Sequence, residues 1–119
     1  MARSTGPGGP GGAAEAAAAA FLAGEGLSLL QSNYRCRMGE IDLVLRQGST
    51  IVFVEVRLRT NSSFGTAAES IGPRKRARLL ATARHYLAGK PEPPCRFDVI
   101  VLDRLDPPRM EWIRDAFSA

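Results

Sequence analysis

Three hydrophobic patterns follow one another along the chain, and each predicts a different element. The alanine run from Ala13 to Ala23 predicts a first helix, because alanine has the highest intrinsic helix propensity, and Gly24 and Gly26 supply its stop. Leu27 to Leu30 opens a first strand that ends near Asn33-Tyr34-Arg35. Gly39 to Leu45 and Ile51 to Arg59 read as a second and third strand, with apolar residues at alternate positions and charged ones between them. Beyond a polar loop at residues 60–65, Pro73 opens a second helix in its first turn and Gly89 closes it. Leu79, Leu80, Ala83, Tyr86 and Leu87 recur at helical spacing as its buried stripe. Pro91, Pro93 and Pro94 prevent continuation, Arg96 to Leu102 forms a fourth strand, and Pro107-Pro108 turns the chain into a short fifth at Met110 to Arg114. The predicted order is α-β-β-β-α-β-β, in which the crossover helix brings the fourth strand parallel to the third.

Strand side chains alternate between two faces. In the second strand Ile41, Leu43 and Leu45 are expected on one face and Glu40, Asp42, Val44 and Arg46 on the other. In the third, Val52, Val54, Val56 and Leu58 oppose Ile51, Phe53, Glu55, Arg57 and Arg59. A two-residue turn on Gly48-Ser49 sets Asp42 directly across from Glu55, about 5 Å apart at Cβ. A turn on Gln47-Gly48 sets Glu40 across from Glu55 and Asp42 across from Phe53. Either register keeps the acids on one face, whereas a three-residue loop without a compensating bulge divides them.

Carboxylates this close repel unless a cation lies between them or one takes up a proton. An oxygen-only donor set, with no Cys or His cluster to hand, favours Mg²⁺ or Mn²⁺ over zinc. The pattern therefore points to metal-dependent phosphodiester hydrolysis. The competing reading is that Asp42 and Glu55 are surface acids of a half-exposed sheet, each near an arginine.

Composition narrows the picture modestly. A chain of 119 residues with 45% apolar content builds one core. Its 16 Lys and Arg against 12 Asp and Glu suit a polyanionic partner, although a net charge of +4 identifies none. Cys36 and Cys95 lie far apart without metal-binding spacing, which argues against a zinc site or disulfide framework and for a reducing, cytoplasmic setting. The lone histidine, His85, reads as a helix-surface residue. Residues 1–12, rich in Gly and Pro, read as a disordered tail ahead of a single domain at 13–119. The alanine run carries Glu15 and is too short for a bilayer, so no membrane partner is expected. In the second helix Arg74, Lys75 and Arg78 leave cations where the helix dipole favours anions, as a bound phosphate backbone would.

The pieces Asn33-Tyr34-Arg35, Gly39-Glu40-Ile41-Asp42-Leu43, Phe53-Val54-Glu55-Val56, Phe64-Gly65, Pro73-Arg74-Lys75, Tyr86-Leu87, Arg96-Phe97-Asp98-Val99 and Ala116-Phe117 occur in the order of the bacterial YraN-like proteins, which the chain resembles over nearly everything after the tail. That resemblance implies an α/β, restriction-endonuclease-like αβββαβ core, a mixed sheet flanked by two helices, and a PD-(D/E)xK-type site similar to that of Holliday-junction resolvases. Carried onto this chain, Asp42 and Glu55 become the metal-binding acids, Val56 offers its carbonyl, and Glu15 completes the site from the first helix, seven residues before Leu22 and facing inward. Glu40 supports them. Where the motif ends in lysine this chain has Arg57, which can clamp a scissile phosphate but stays charged and serves poorly as a base. The implied activity is endonucleolytic, on DNA and on branched structures by analogy, with Arg57 reducing it and Arg59, Arg74, Lys75 and Arg78 positioning the backbone. The alternatives are a catalytically silent nucleic-acid-binding module and a protein-interaction scaffold. Resolvase-like enzymes often form homodimers, but nothing in the sequence marks an interface.

Overall fold

A computed structural model describes residues 10–58 and 71–117. Arg59 and the Phe64-Gly65 motif lie outside the described residues, as do residues 1–9 of the predicted tail. The elements run α1 (Pro10–Gly24), β1 (Ser28–Cys36), β2 (Gly39–Gln47), β3 (Thr50–Leu58), α2 (Pro73–Leu87), β4 (Cys95–Leu105) and β5 (Pro108–Phe117). This is the predicted order. The five strands form one mixed sheet in the order β1-β2-β3-β4-β5. Among the described residues only β3 and β4 pair in parallel, across the crossover that contains α2. The architecture is consistent with an αβββαβ core.

Each helix covers one face. Ala14, Ala18 and Leu22 repeat every four residues along α1 and are buried with Leu43, Leu45, Val52, Val54, Ile100 and Leu102. The helix starts at Pro10, ahead of the predicted Ala13. It ends in a Schellman-type closure. Gly26 takes φ +97°, and the Leu27 amide donates to the Leu22 carbonyl at 3.0 Å while the two leucines share the same cluster.

On the opposite face α2 lays Leu79 and Ala83 over Val44, Phe53, Phe97, Val99 and Val101. Phe53, Phe97 and Phe117 stack there with ring centroids 5.2 and 4.9 Å apart. The start of α2 is fixed from several directions. Pro73 occupies the first turn, Ile71 is buried, Arg76 Nε donates to the Ile71 carbonyl at 3.0 Å, and the Arg76 guanidinium lies 5.5 Å from the Phe117 ring centre. Lys75 and Arg78 are thereby carried to a defined place.

A close approach completes the placement. The β1–β2 turn meets α2 at Gly39, where φ is +151° and an added Cβ would lie 3.0 Å from Thr82 Oγ1. Thr82 is fully buried and returns its hydroxyl to the Arg78 carbonyl at 2.7 Å. The tip of the hairpin and the first turns of the helix consequently face each other across a gap.

Candidate metal and phosphate site

The β2–β3 hairpin uses Gly48-Ser49 as its loop, with Gln47 paired to Thr50 and the ladder running up to Leu43 opposite Val54. The next step along that register sets Asp42 against Glu55, as the first of the two predicted turns requires. Backbone pairing stops there. Asp42 Oδ2 instead accepts the Val56 amide at 2.8 Å, so a side chain fills the position a strand would occupy. In a strand a residue's N–H and C=O leave on the same edge, so the Val56 carbonyl also faces this opening.

The alternation of β2 breaks at the same point. Ile41 packs with Val44 and Phe53 beneath α2, while Leu43 and Leu45 pack beneath α1. The expectation that Ile41, Leu43 and Leu45 share a face is therefore corrected: the strand changes its facing across Asp42, where it parts from β3.

Asp42 and Glu55 share a cleft of about 440 Å³ between the β1–β2 turn and α2. Glu40, Arg37, Lys75 and Arg78 also line it, with Met38, Gly39 and Leu79 between them. Burial, followed by the field of Glu55, pushes the Asp42 carboxyl up to about 7; the Val56 amide opposes this, and Glu15 and Glu40 add smaller upward pushes. Glu55, only 8% exposed, is held by Lys75, whose Nζ lies 2.6 Å from Oε2. Glu40 pairs with Arg35 at 3.5 Å at the exposed rim.

The predicted residues thus divide. Asp42, Glu55, Lys75 and Arg78 converge on the cleft. Arg57, on β3 beside Val101 of β4, is half-buried and is not among the described residues lining it. Arg74 is exposed in the first turn of α2 and also lies outside that lining. Glu15 flanks the buried Ala14–Ala18–Leu22 stripe and is half-exposed, reaching Asp42 through its field. Arg37 escaped the sequence reading. Its only sequence signal is its place in the turn just before Gly39, which becomes informative once α2 is known to pack on that turn.

Among the described residues no group of three or more Asp, Glu, His or Cys side chains comes together to hold a metal ion. The donors that do fit are two carboxylates and a backbone carbonyl. That set suits an ion such as Mg²⁺, which keeps several of its waters and binds through one or two carboxylates. Burial and three neighbouring acids oppose the ionised form of Asp42, which a proton or a cation would relieve.

A second buried acid is already satisfied. Asp98, 1% exposed, accepts Arg96 Nε at 3.0 Å, Trp112 Nε1 at 2.9 Å and the Asp115 amide at 2.9 Å. It pins the irregular part of the β4–β5 ladder, where Asp115 takes φ +52°. Its oxygens are committed to structure. Tyr34 and His85 are joined by a hydrogen bond on the exposed flank of α2. Cys36 and Cys95 are both free. Among the described residues no helix is long and apolar enough to cross a membrane.

Comparison with known proteins matches the sequence to a family. Residues 14–102 match the model described as uncharacterised protein family UPF0102. A UPF0102 protein of Methylobacillus flagellatus is 54% identical over 99 residues, covering 83% of this chain and 88% of its own. One from Nitrosomonas europaea is 54% identical over 101 residues, covering 84% and 86%. A more distant relative in Pseudomonas paraeruginosa is 48% identical over 106 residues, covering 84% and 85%.

Proposed function

We propose that this chain, which belongs to the uncharacterised protein family UPF0102, is a cytoplasmic metal-dependent endonuclease that hydrolyses phosphodiesters in nucleic acid, DNA in the first instance. The observation that carries the reading is the convergence of Asp42 and Glu55 in one cleft rimmed by Arg37, Lys75 and Arg78, where burial and the neighbouring Glu55 raise the Asp42 carboxyl. An acid shifted by desolvation and by a specific charged neighbour, in a cleft, is a candidate functional group.

Asp42, Glu55 and the Val56 carbonyl would hold Mg²⁺ or Mn²⁺. Such an ion supplies a polarised phosphate and a bound water of lowered pKa. The chain's own residues supply the rest. The Val56 amide fixes the orientation of Asp42, and Arg37 and Arg78 flank the path of a phosphate backbone. Arg57 would reach a phosphate oxygen from β3 and neutralise charge that develops there. Branched DNA is the preferred substrate by analogy with resolvases, and a homodimer would present two such clefts to it.

The test is incubation of the purified protein with branched and single-stranded DNA in Mg²⁺ or Mn²⁺. Cleavage lost in Asp42→Ala and improved in Arg57→Lys supports the enzyme. Salt-sensitive binding without cleavage in any variant supports instead a silent nucleic-acid-binding module, for which the rim of Arg37, Lys75 and Arg78 is the favouring observation.

A further inference from the structure

Lys75 is the residue that couples the acids to the basic rim. Its Nζ lies 2.6 Å from Glu55 Oε2 in the cleft that Asp42 also lines. A cation in a helix's first turn is disfavoured by the dipole, and here α2 has Arg74, Lys75 and Arg76 in succession with no acid in that turn. Arg76 is occupied with the Ile71 carbonyl and the Phe117 ring, which locks the backbone that presents Lys75. The Lys75 side chain is 37% exposed, so its ammonium opens onto the cleft while holding an acid that is 9% exposed. An ammonium has three donors, and one bond to Glu55 leaves two for another acceptor.

We infer that Lys75 also meets the substrate phosphate in this site, delivered from α2 in addition to Arg57 from the strand, and that its bond to Glu55 neutralises that acid until the carboxylates take a divalent ion. The inference rests on the phosphodiesterase reading and adds to it a lysine where the β3 position carries Arg57. The compact ammonium can bridge Glu55 and a phosphate oxygen, which the planar guanidinium on β3 is poorly shaped to do. Removing it has two consequences of opposite sign. The phosphate loses a donor, and a competing cation leaves the metal-binding acid.

The experiment compares wild type with Lys75→Met, and with Lys75→Gln as a second variant should the first fold poorly, in two measurements. Calorimetric titration with Mn²⁺ in the absence of DNA should give about fivefold tighter binding in the variants. Single-turnover cleavage of a branched DNA at saturating Mn²⁺ should be about 100-fold slower. A purely structural ion pair would lower the melting temperature and leave both readings in place. Wild type that binds Mn²⁺ and cleaves, with variants that match it in either measurement, overturns this inference alone. Wild type that neither binds Mn²⁺ nor cleaves overturns it together with the phosphodiesterase reading.

Discussion

Asp42 and Val56 are joined across the opening between β2 and β3 by a 2.8 Å hydrogen bond from the Val56 amide to the Asp42 carboxylate. The bond stands at the end of the antiparallel ladder, one step beyond Leu43 and Val54. It holds an acid in a site where burial and neighbouring carboxylates both oppose its charge. Strand separation and acid placement are thus one structural event.

The raised Asp42 carboxyl makes stability depend on pH in a specific direction. Between its ordinary value of 3.8 and about 7, the folded protein keeps a proton on Asp42 that the unfolded chain releases. Stability contributed by this group therefore falls as pH rises through that window, with a slope of at most about 1.4 kcal/mol per pH unit. Asp42→Asn should flatten the slope and make the protein more stable than wild type at pH 8, with little difference near pH 3. Urea unfolding at a series of pH values in the presence of a chelator measures both curves.

Gly39 permits the close approach of the β1–β2 turn to α2. In Gly39→Ala the new Cβ would meet Thr82 Oγ1 at 3.0 Å with φ at +151°, a conformation that only glycine adopts readily. A loss of about 1–3 kcal/mol is expected from the strain. Thr82→Ala in the same background removes the clash but not the backbone cost. A double-mutant cycle by denaturant unfolding should then recover part of the loss, and full recovery or none would contradict the geometry.

Asp98 stabilises the β4–β5 ladder without belonging to the cleft. Asp98→Ala strips Arg96, Trp112 and the Asp115 amide of a common acceptor, and should cost about 1–3 kcal/mol, because the indole and the amide lose their partner while the half-buried Arg96 guanidinium keeps only Gln47. Trp112 is the single tryptophan, so its fluorescence reports the change directly. The variant that remains folded at low temperature should bind Mn²⁺ as wild type does.

The local signals in the sequence were strong where the chain needed only its neighbours. Period-two patterning and a two-residue loop narrowed the pairing of β2 with β3 to two registers, of which the one turning on Gly48-Ser49 is formed, because such a loop fixes which side chains face each other. Proline and glycine bracketed α2 for equally local reasons. What could not be read depends on contacts between distant segments. The change of facing of Ile41 arises where β2 leaves β3, and the presence of Arg37 in the cleft follows from the packing of Gly39 on Thr82, forty-three positions later in the chain. The engagement of Lys75 with Glu55 depends on the angle at which α2 crosses the sheet, set by Ile71, Arg76 and Phe117. β5 extends to Phe117, beyond the predicted Arg114, because an irregular edge strand held by the Asp98 carboxylate carries no clean alternation.

The central claim, that Asp42 and Glu55 form a site for a divalent cation, is tested most directly by calorimetric titration of Mn²⁺ into wild type and Asp42→Ala at pH 8 and pH 6. Wild type should bind one equivalent, more weakly at pH 6 because a proton must leave Asp42 first, and Asp42→Ala should bind none. Equal binding by the two proteins, or no binding by wild type at pH 8, would contradict the account.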